Sequence, residues 1–138
     1  MLCQKTTLSL LILLMAATMA MAADDASKPD FSKVPGVAID HSPASTGCYI
    51  GSASIAILPD GSYVASHDFF GPKSTEHVSA KSAIFRSEDR GKTWKQVAKI
   101  DGAFWSKLFV HKDSLYLMGT TRHHGFIVIR RSDDGGQT

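Results

Sequence analysis

The segment at 66–80 holds a set of side chains that could do chemistry together. It contains His67, Asp68 and Glu76, together with two phenylalanines. Carboxyl and imidazole groups can transfer protons, and phenyl rings can stack on a ligand. The same residues could equally decorate a solvated loop, since charged side chains are mostly exposed in proteins. Whether the segment forms a site or a solvated loop depends on the elements that flank it.

The spacing of the residues disfavours two other kinds of site. Ser66, His67 and Asp68 are the residue types of a catalytic triad, but three neighbouring residues cannot converge as a triad requires. His123 and His124 are adjacent, so on an extended chain they point to opposite sides. No cysteine or carboxylate spacing completes a metal-ligand set with them. The sequence therefore predicts no metal site and no cofactor.

A repeated motif defines the elements that position these residues. Residues 87–94 read S-x-D-x-G-x-T-W, and the same frame recurs at 132–138. The copies start 132 − 87 = 45 residues apart, a length typical of one four-stranded propeller blade. These residue types suit a hairpin turn. The aspartate can accept amide hydrogen bonds, the glycine can take a positive φ, and the tryptophan can cover the turn. We therefore predict a structural role for the box residues, which are Ser87, Asp89, Gly91, Thr93, Trp94, Ser132, Asp134 and Gly136.

A second repeated segment lies upstream of each box. Residues 60–65 align with 113–118, and each segment follows an apolar run. From this turn to the box the first copy takes 87 − 60 = 27 residues, and the second takes 132 − 113 = 19. The first copy thus carries the longer loop, and long loops on a rigid scaffold often carry function.

Apolar runs bounded by turn residues predict an all-β chain. Seven strands are expected, at 54–58, 63–67, 82–86, 95–100, 105–110, 115–119 and 126–131, with a further short strand at 36–39. Beyond the first 22 residues, no segment has a helical period long enough to predict a helix.

With these repeats, the sequence resembles the Asp-box, or BNR, repeats of sialidases and related secreted propellers. Both boxes are similar to the family's box, and residues 49–61 are similar to its opening strand and turn, so that the resemblance covers 49–138. It implies a partial six-bladed β-propeller, with about two blades present. It also implies an exo-glycosidase that removes a terminal sugar, commonly sialic acid, from glycans. In such enzymes the boxes lie on the face away from the site.

One segment departs from the family's pattern. Where a sialidase carries Tyr-Arg-Ile-Pro, Tyr49 is followed by Ile50 and Gly51, so the arginine that helps to clamp a substrate carboxylate is missing. Neither side chain can replace a bidentate guanidinium. This argues against ordinary sialic acid cleavage unless Arg122 or a later arginine takes over the role. The family's other arginines, nucleophilic tyrosine and partner glutamate would lie beyond Thr138.

The resemblance also implies where the site residues lie, at the starts of the inner strands and in the loops after the second strands. In an exo-glycosidase the first such loop supplies a general acid, which protonates the leaving oxygen and is helped by a raised pKa. Asp68 and Glu76 are the two carboxyls available as catalytic residues. Asp68 directly follows a predicted strand, whereas Glu76 is closer to the family spacing measured back from Arg86. The residues expected to bind the sugar are His67, Trp105, Arg122 and His123, with His124, Phe69 and Phe70 as further candidates and core packing as the alternative for the aromatic rings.

The N-terminal residues predict export. Lys5 precedes an apolar stretch at 8–15, and Ala20 and Ala22 offer a small-x-small cleavage pattern. The stretch is shorter than the roughly 20 apolar residues of a spanning helix. We therefore expect a signal peptide at 1–22, a flexible lead-in at 23–35 and propeller blades at 36–138. The protein is then secreted or periplasmic, with no membrane association after cleavage.

Charge and cysteine content limit the partners. The chain has 15 Lys and Arg against 13 Asp and Glu, without a basic cluster, which argues against nucleic acid. Signal cleavage would leave Cys48 as the single cysteine, so disulfides cannot support the fold. The expected partner is a glycan or glycoconjugate.

Propeller closure leads to the functional interpretation. A ring closes when about four to eight blades are complete, and the repeats here supply two. We therefore interpret the chain as the N-terminal part of a secreted sialidase-like exo-glycosidase, poorly folded and inactive on its own. The alternative is a non-catalytic Asp-box propeller that binds glycan or protein. The carboxyls, histidine and aromatic rings of the 66–80 loop favour the enzyme.

Overall fold

The computed structural model describes residues 30–138. The predicted signal peptide, and the predicted lead-in as far as residue 29, lie outside this range. A compact unit extends from Pro35 to Thr138. Within residues 30–138 there is no helix with the length and hydropathy that crossing a membrane requires.

Seven antiparallel strands build the compact unit. Their bounds are β1 Tyr49–Ile57, β2 Tyr63–Phe70, β3 Lys81–Ser87, β4 Lys95–Asp101, β5 Phe104–His111, β6 Ser114–Thr120 and β7 Ile127–Ser132. Two one-turn 3-10 helices, Phe31–Lys33 and Ala44–Thr46, are the only helical segments between residues 30 and 138. The all-β class that the sequence predicts is confirmed.

The expected short strand at 36–39 is wrong. These residues form no strand in the structure, and Gly36 has a φ of 121°, a left-handed value that interrupts an extended chain. Ile39 instead packs against a small cluster on β2 and β3 that contains Ala65 and Phe85. The apolar residue that suggested a strand therefore covers a sheet without joining it.

The strands form two meanders, each with neighbours in chain order. Sheet 1 has the order β1-β2-β3-β4, and sheet 2 has the order β5-β6-β7. On sheet 1, Tyr63 pairs with Ser87 and Asp68 pairs with Ser82. This register places the 71–80 loop at one end of the sheet and the first box at the opposite end.

The first strands of the two sheets share an irregularity. In β1 the pairing shifts between Gly51 and Ser54, and in β5 it shifts between Phe104 and Lys107. Ser52 has a φ of 53° and Trp105 a φ of 50°, although neither is glycine. These two residues are 105 − 52 = 53 positions apart, the same offset that separates the two upstream turns. The bulge is therefore a repeated feature, and it changes the direction of the side chain at Ser52 and at Trp105.

The core lies between the facing surfaces of the two sheets. Sheet 1 contributes Ala56, Leu58, Val64 and Ile84, and sheet 2 contributes Leu108, Leu115 and Leu117. These residues alternate along their strands, so that one face of each sheet is buried against the other. Strand β5 packs against β1 and β2, which brings the first strand of sheet 2 beside the first strand of sheet 1.

The outer face of sheet 2 is apolar but exposed. Phe109, Met118, Ile127 and Ile129 are all solvent-accessible, and Ile127 retains 76% of its accessible surface. Met118 and Ile129 are direct cross-strand partners. Leu108 and Leu117, the sequence neighbours of Phe109 and Met118, belong to the core shared with sheet 1. Sheet 2 thus has two apolar faces, of which sheet 1 covers one.

Candidate functional site

The first box is a hydrogen-bonded turn. The Ser87 hydroxyl donates to Asp89 Oδ1 over 2.8 Å, and the Gly91 amide donates to Ser87 Oγ over 2.8 Å. Asp89 also accepts from the amide and hydroxyl of Thr93, at 2.9 and 2.7 Å, while Trp94 Nε1 donates to the Gly91 carbonyl at 3.0 Å. The Thr93 hydroxyl and amide, followed by the Ser87 hydroxyl, hold the pKa of Asp89 well below its usual range.

The second box repeats this geometry. Ser132 Oγ donates to Asp134 Oδ1 over 2.7 Å, and the Gly136 amide donates to Ser132 Oγ over 2.8 Å. The Thr138 hydroxyl reaches Asp134 Oδ2 at 2.6 Å and, as the largest cause, lowers the pKa of Asp134. Every polar atom that defines the box is used to close a turn, so the boxes offer no unpaired group for a substrate.

Asp68 is a bridge between the two sheets. Its side chain has no solvent exposure, its Oδ1 accepts from the Ser82 hydroxyl, and its Oδ2 accepts from the Ser106 amide over 2.7 Å. Ser82 Oγ also lies 3.0 Å from the Ala103 carbonyl oxygen. Burial raises the pKa of Asp68, and hydrogen bonds from Ser82 and Ser106 offset part of this shift. In this position Asp68 cannot contact a sugar, and its catalytic role stays a prediction that the geometry disfavours.

His67 points to the opposite face of β2. Its Nε2 lies 2.7 Å from Asp40 Oδ2, and its ring stacks on Phe85 with a centroid distance of 5.5 Å. Phe69 packs against the same ring edge-on at 4.8 Å. Only 7% of the His67 side chain is exposed. The structure therefore places His67 and Phe69 together, on the face of β2 opposite Asp68.

Aromatic rings gather at the end of the sheets opposite the boxes, and we call this group the aromatic end. It consists of Tyr49, Phe70, Phe104, Trp105 and His123. Successive ring centroids lie 5.8, 4.6, 5.1 and 5.1 Å apart. Phe104 is buried, whereas Tyr49 and Trp105 remain 59% and 49% exposed. Two aromatic surfaces are thus available to a ligand on a firmly packed base.

Glu76 joins the aromatic end from the 71–80 loop. Its Oε2 accepts from the Gly71 amide at 3.0 Å and lies 3.4 Å from the Ser74 hydroxyl, and its backbone carbonyl accepts from the His123 amide at 2.7 Å. Its Oε1 lies 3.2 Å from His77 Nε2 and 3.8 Å from His123 Nδ1. Both carboxylate oxygens of Glu76 therefore already lie close to polar groups of the protein.

Ligand atoms of Glu76, His77 and His123 come within 4.8 Å of one another. The sequence predicts no set of metal ligands, because His123 and His124 have no carboxylate close to them in sequence. In the structure the carboxylate is that of Glu76, which precedes His123 by 123 − 76 = 47 positions and lies on a loop of the other sheet. Of the described residues, this is the group whose donor types suit a transition metal.

Arg122 and His124 lie beside this group on the loop that follows β6. Arg122 Nε donates to the His124 carbonyl over 3.3 Å, and both side chains are exposed. The His124 ring packs edge-on against His123 at 4.6 Å. The exposed guanidinium is available to a negatively charged ligand, but it has no second arginine beside it among the residues of the aromatic end.

The sequence did not single out His77, Tyr49 or Phe104 as members of the site. His77 adjoins Glu76 in sequence, and this acid-histidine pair was the available signal. Tyr49 and Phe104 begin the first strands of their sheets. A search for aromatic residues at strand starts would have found both.

Comparisons with known proteins were made for the whole chain. No family model matches it, and no match was found among the curated proteins or the solved structures.

Proposed function

We propose that this chain contributes blades to a secreted, sialidase-like Asp-box β-propeller that acts as an exo-glycosidase on terminal sugars of glycans. The observation that carries this proposal is the aromatic end. Exposed Trp105 packs on buried Phe104, and exposed Tyr49 stacks on Phe70, the next ring in the row. Glu76 and His123 lie beside Trp105. Sugar rings are recognised by this combination of flat apolar surfaces and polar groups.

The arrangement of the sheets supports the propeller assignment. The two sheets have four and three strands, each in chain order, with equivalent bulges at Ser52 and Trp105, and consecutive blades would provide such an arrangement. Sheet 1 faces sheet 2, and each sheet also has an outer apolar surface. Further blades, in the same polypeptide or in another copy, would cover these surfaces.

The opposite placement of boxes and aromatic rings supports the location of the site. The box aspartates are fully engaged in turns at one end of the sheets. The long loop and the exposed rings lie at the other end. A ligand at the aromatic end would therefore meet groups that the fold does not already use.

The general acid is not assigned to either predicted carboxyl. Asp68 has a raised pKa, which suits an acid, but it is inaccessible. Glu76 is reachable, with 12% of its side chain exposed, but two histidines and a backbone amide surround it. We propose that Glu76 and His123 hold the sugar, and that any acid comes from elsewhere in the complete enzyme.

The second candidate is a non-catalytic Asp-box propeller that binds glycan or protein. The burial of Asp68 favours it, because one of the two carboxyls that could protonate a leaving group is unavailable. The replacement of the family's first arginine by Ile50 and Gly51 favours it as well.

Sugar binding by the chain tests both candidates. A panel of neutral and sialylated oligosaccharides is titrated against the wild-type chain and its Trp105→Ala and Phe109→Ala variants by calorimetry. We expect Trp105→Ala to weaken binding about tenfold, since ring stacking contributes about 0.5–1.5 kcal/mol beyond area burial. Phe109 is an exposed ring on the outer face of sheet 2, so Phe109→Ala should bind like wild type. Absence of binding to every sugar would overturn the exo-glycosidase and the glycan-binding form of the second candidate.

Turnover separates the enzyme from the binding module. Hydrolysis of a fluorogenic glycoside panel by the complete polypeptide supports the exo-glycosidase. Sugar binding without hydrolysis supports the binding module. Loss of turnover in Asp68→Asn or Glu76→Gln, with folding and sugar binding retained, would contradict our placement of the acid outside these two residues.

A further inference from the structure

We propose that Glu76, His77 and His123 form a binding site for a divalent transition metal such as Zn²⁺. Two imidazoles and one carboxylate are a ligand set that zinc uses with a fourth position left for water. The metal site shares Glu76 and His123 with the aromatic end, but metal binding itself requires no sugar.

The distances fit a site that needs little rearrangement. Glu76 Oε1 lies 3.2 Å from His77 Nε2 and 3.8 Å from His123 Nδ1, and all three ligand atoms fall within 4.8 Å. Ligands about 2.0–2.1 Å from a tetrahedral metal are separated by roughly 3.3 Å. The His77 side chain is 66% exposed, so its ring is free to make the remaining adjustment.

One ligand atom already lacks a partner. His123 Nδ1 is buried and accepts or donates no hydrogen bond, while its ring is held by packing against Phe104 and Trp105. A buried ring nitrogen without a hydrogen bond carries an energetic cost. A metal ion between this nitrogen and Glu76 Oε1 would satisfy it.

The surroundings of Glu76 resemble the support of a metal-bound carboxylate. The Gly71 amide and the Ser74 hydroxyl lie within 3.0 and 3.4 Å of Oε2, which leaves Oε1 turned towards the histidines. Outer contacts of this kind fix the orientation of metal ligands. Gly71 has a φ of 102°, and an added Cβ would come within 2.9 Å of the Gly47 carbonyl oxygen, so the backbone there is closely fitted.

The metal would clamp two loops that belong to different sheets. Glu76 and His77 lie on the loop that follows β2, and His123 lies on the loop that follows β6. The hydrogen bond from the His123 amide to the Glu76 carbonyl already joins these loops. A bound ion would add a second link at the aromatic end.

Calorimetric titration of the chelator-treated chain with zinc chloride tests the site. We expect saturable binding of one ion per chain, and a loss of affinity of about tenfold or more in His77→Ala and in His123→Ala. His77→Ala is the decisive variant, because its exposed side chain contributes little to folding. His111→Ala is the matched control, because His111 lies at the end of β5, away from the three ligands, and it should bind zinc like wild type.

Cobalt substitution gives a second readout that does not depend on affinity alone. The chain loaded with Co²⁺ should show a visible absorption band that His77→Ala loses and His111→Ala keeps. Zinc should also raise the thermal unfolding midpoint of the wild-type chain, and a chelator should reverse this shift. Absence of saturable zinc binding, or equal affinity in wild type, His77→Ala and His123→Ala, would overturn the site. Tyr49 stacks on Phe70 and not on a ligand ring, so Tyr49→Ala should weaken sugar binding but leave zinc affinity unchanged, and failure of the sugar and metal proposals can be told apart.

Discussion

At the scale of single residues, Asp68 has the largest structural consequence because two sheets depend on it. Replacing it by alanine leaves the Ser106 amide without its buried acceptor, 2.7 Å away in the wild type. We expect Asp68→Ala to lower the free energy of unfolding by about 1–3 kcal/mol, the cost of an unsatisfied buried donor. Asp68→Asn should cost less, since its carbonyl can accept from Ser106 and its amide can donate to Ser82. Urea unfolding measures the loss of stability in both variants. Asp101→Ala, at an exposed position, is the control and should lower the free energy of unfolding by less than about 0.5 kcal/mol.

The pH profile of the same variants separates buried charge from lost hydrogen bonds. Burial raises the pKa of Asp68 in the folded state, so the contribution of its protonated form to stability is fully present below the unfolded pKa of about 3.9. This contribution is lost as the pH rises through the folded pKa. The stability of wild type relative to Asp68→Asn should therefore decrease from acid towards neutral pH. A difference that does not change with pH would contradict the raised pKa.

At the scale of elements, the box turns depend on backbone geometry that only some residues tolerate. Gly91 and Gly136 have φ values of 86° and 90°. We expect Gly91→Ala to cost about 1–2 kcal/mol, the strain of a left-handed residue with a side chain. Gly136→Ala should cost more, because its Cβ would lie 3.2 Å from Ile84 and 3.3 Å from Leu115, against 3.5 Å for the nearest atom at Gly91.

A position inside the first box supplies the control for these glycines. Arg90 has a φ of 62°, and the second box has Gly135 at the equivalent place, with a φ of 75°. Arg90→Gly should therefore be close to neutral, because relief of backbone strain offsets the greater freedom of the unfolded chain. Urea unfolding compares the three variants. Equal stability of Gly91→Ala and wild type would contradict the strain argument.

The strands and boxes could be predicted because their signals are local. Turn residues and apolar runs marked each of the seven strands to within a few residues, apart from β1, which begins earlier at Tyr49. The site could be predicted only in part. The burial of Asp68 follows from β5 packing against β2, and the amide it accepts from is 106 − 68 = 38 positions away. The contact of Glu76 with His123 depends likewise on two loops of different sheets, which no local pattern specifies.

At the scale of the whole molecule, the two sheets leave more apolar surface exposed than a stable monomer usually does. The outer face of sheet 2 presents Phe109, Met118, Ile127 and Ile129, and Ile55 and Ile57 are exposed on sheet 1. Strand β7 pairs only with β6 among the strands of residues 30–138. Open edges with apolar side chains pair readily with other chains.

We therefore expect the chain to self-associate through the outer face of sheet 2. Ile127→Lys combined with Ile129→Lys should raise the monomer fraction, because lysines on an edge strand oppose pairing and remove the apolar contact. Val78 is equally exposed, at 76%, but lies in the 71–80 loop away from this face, so Val78→Lys is the matched control and should associate like wild type. Sedimentation velocity over a range of concentrations measures the monomer fraction of each variant. A wild-type chain that stays monomeric and unfolds cooperatively would show that two sheets suffice, and it would remove the main physical reason for placing them within a larger ring.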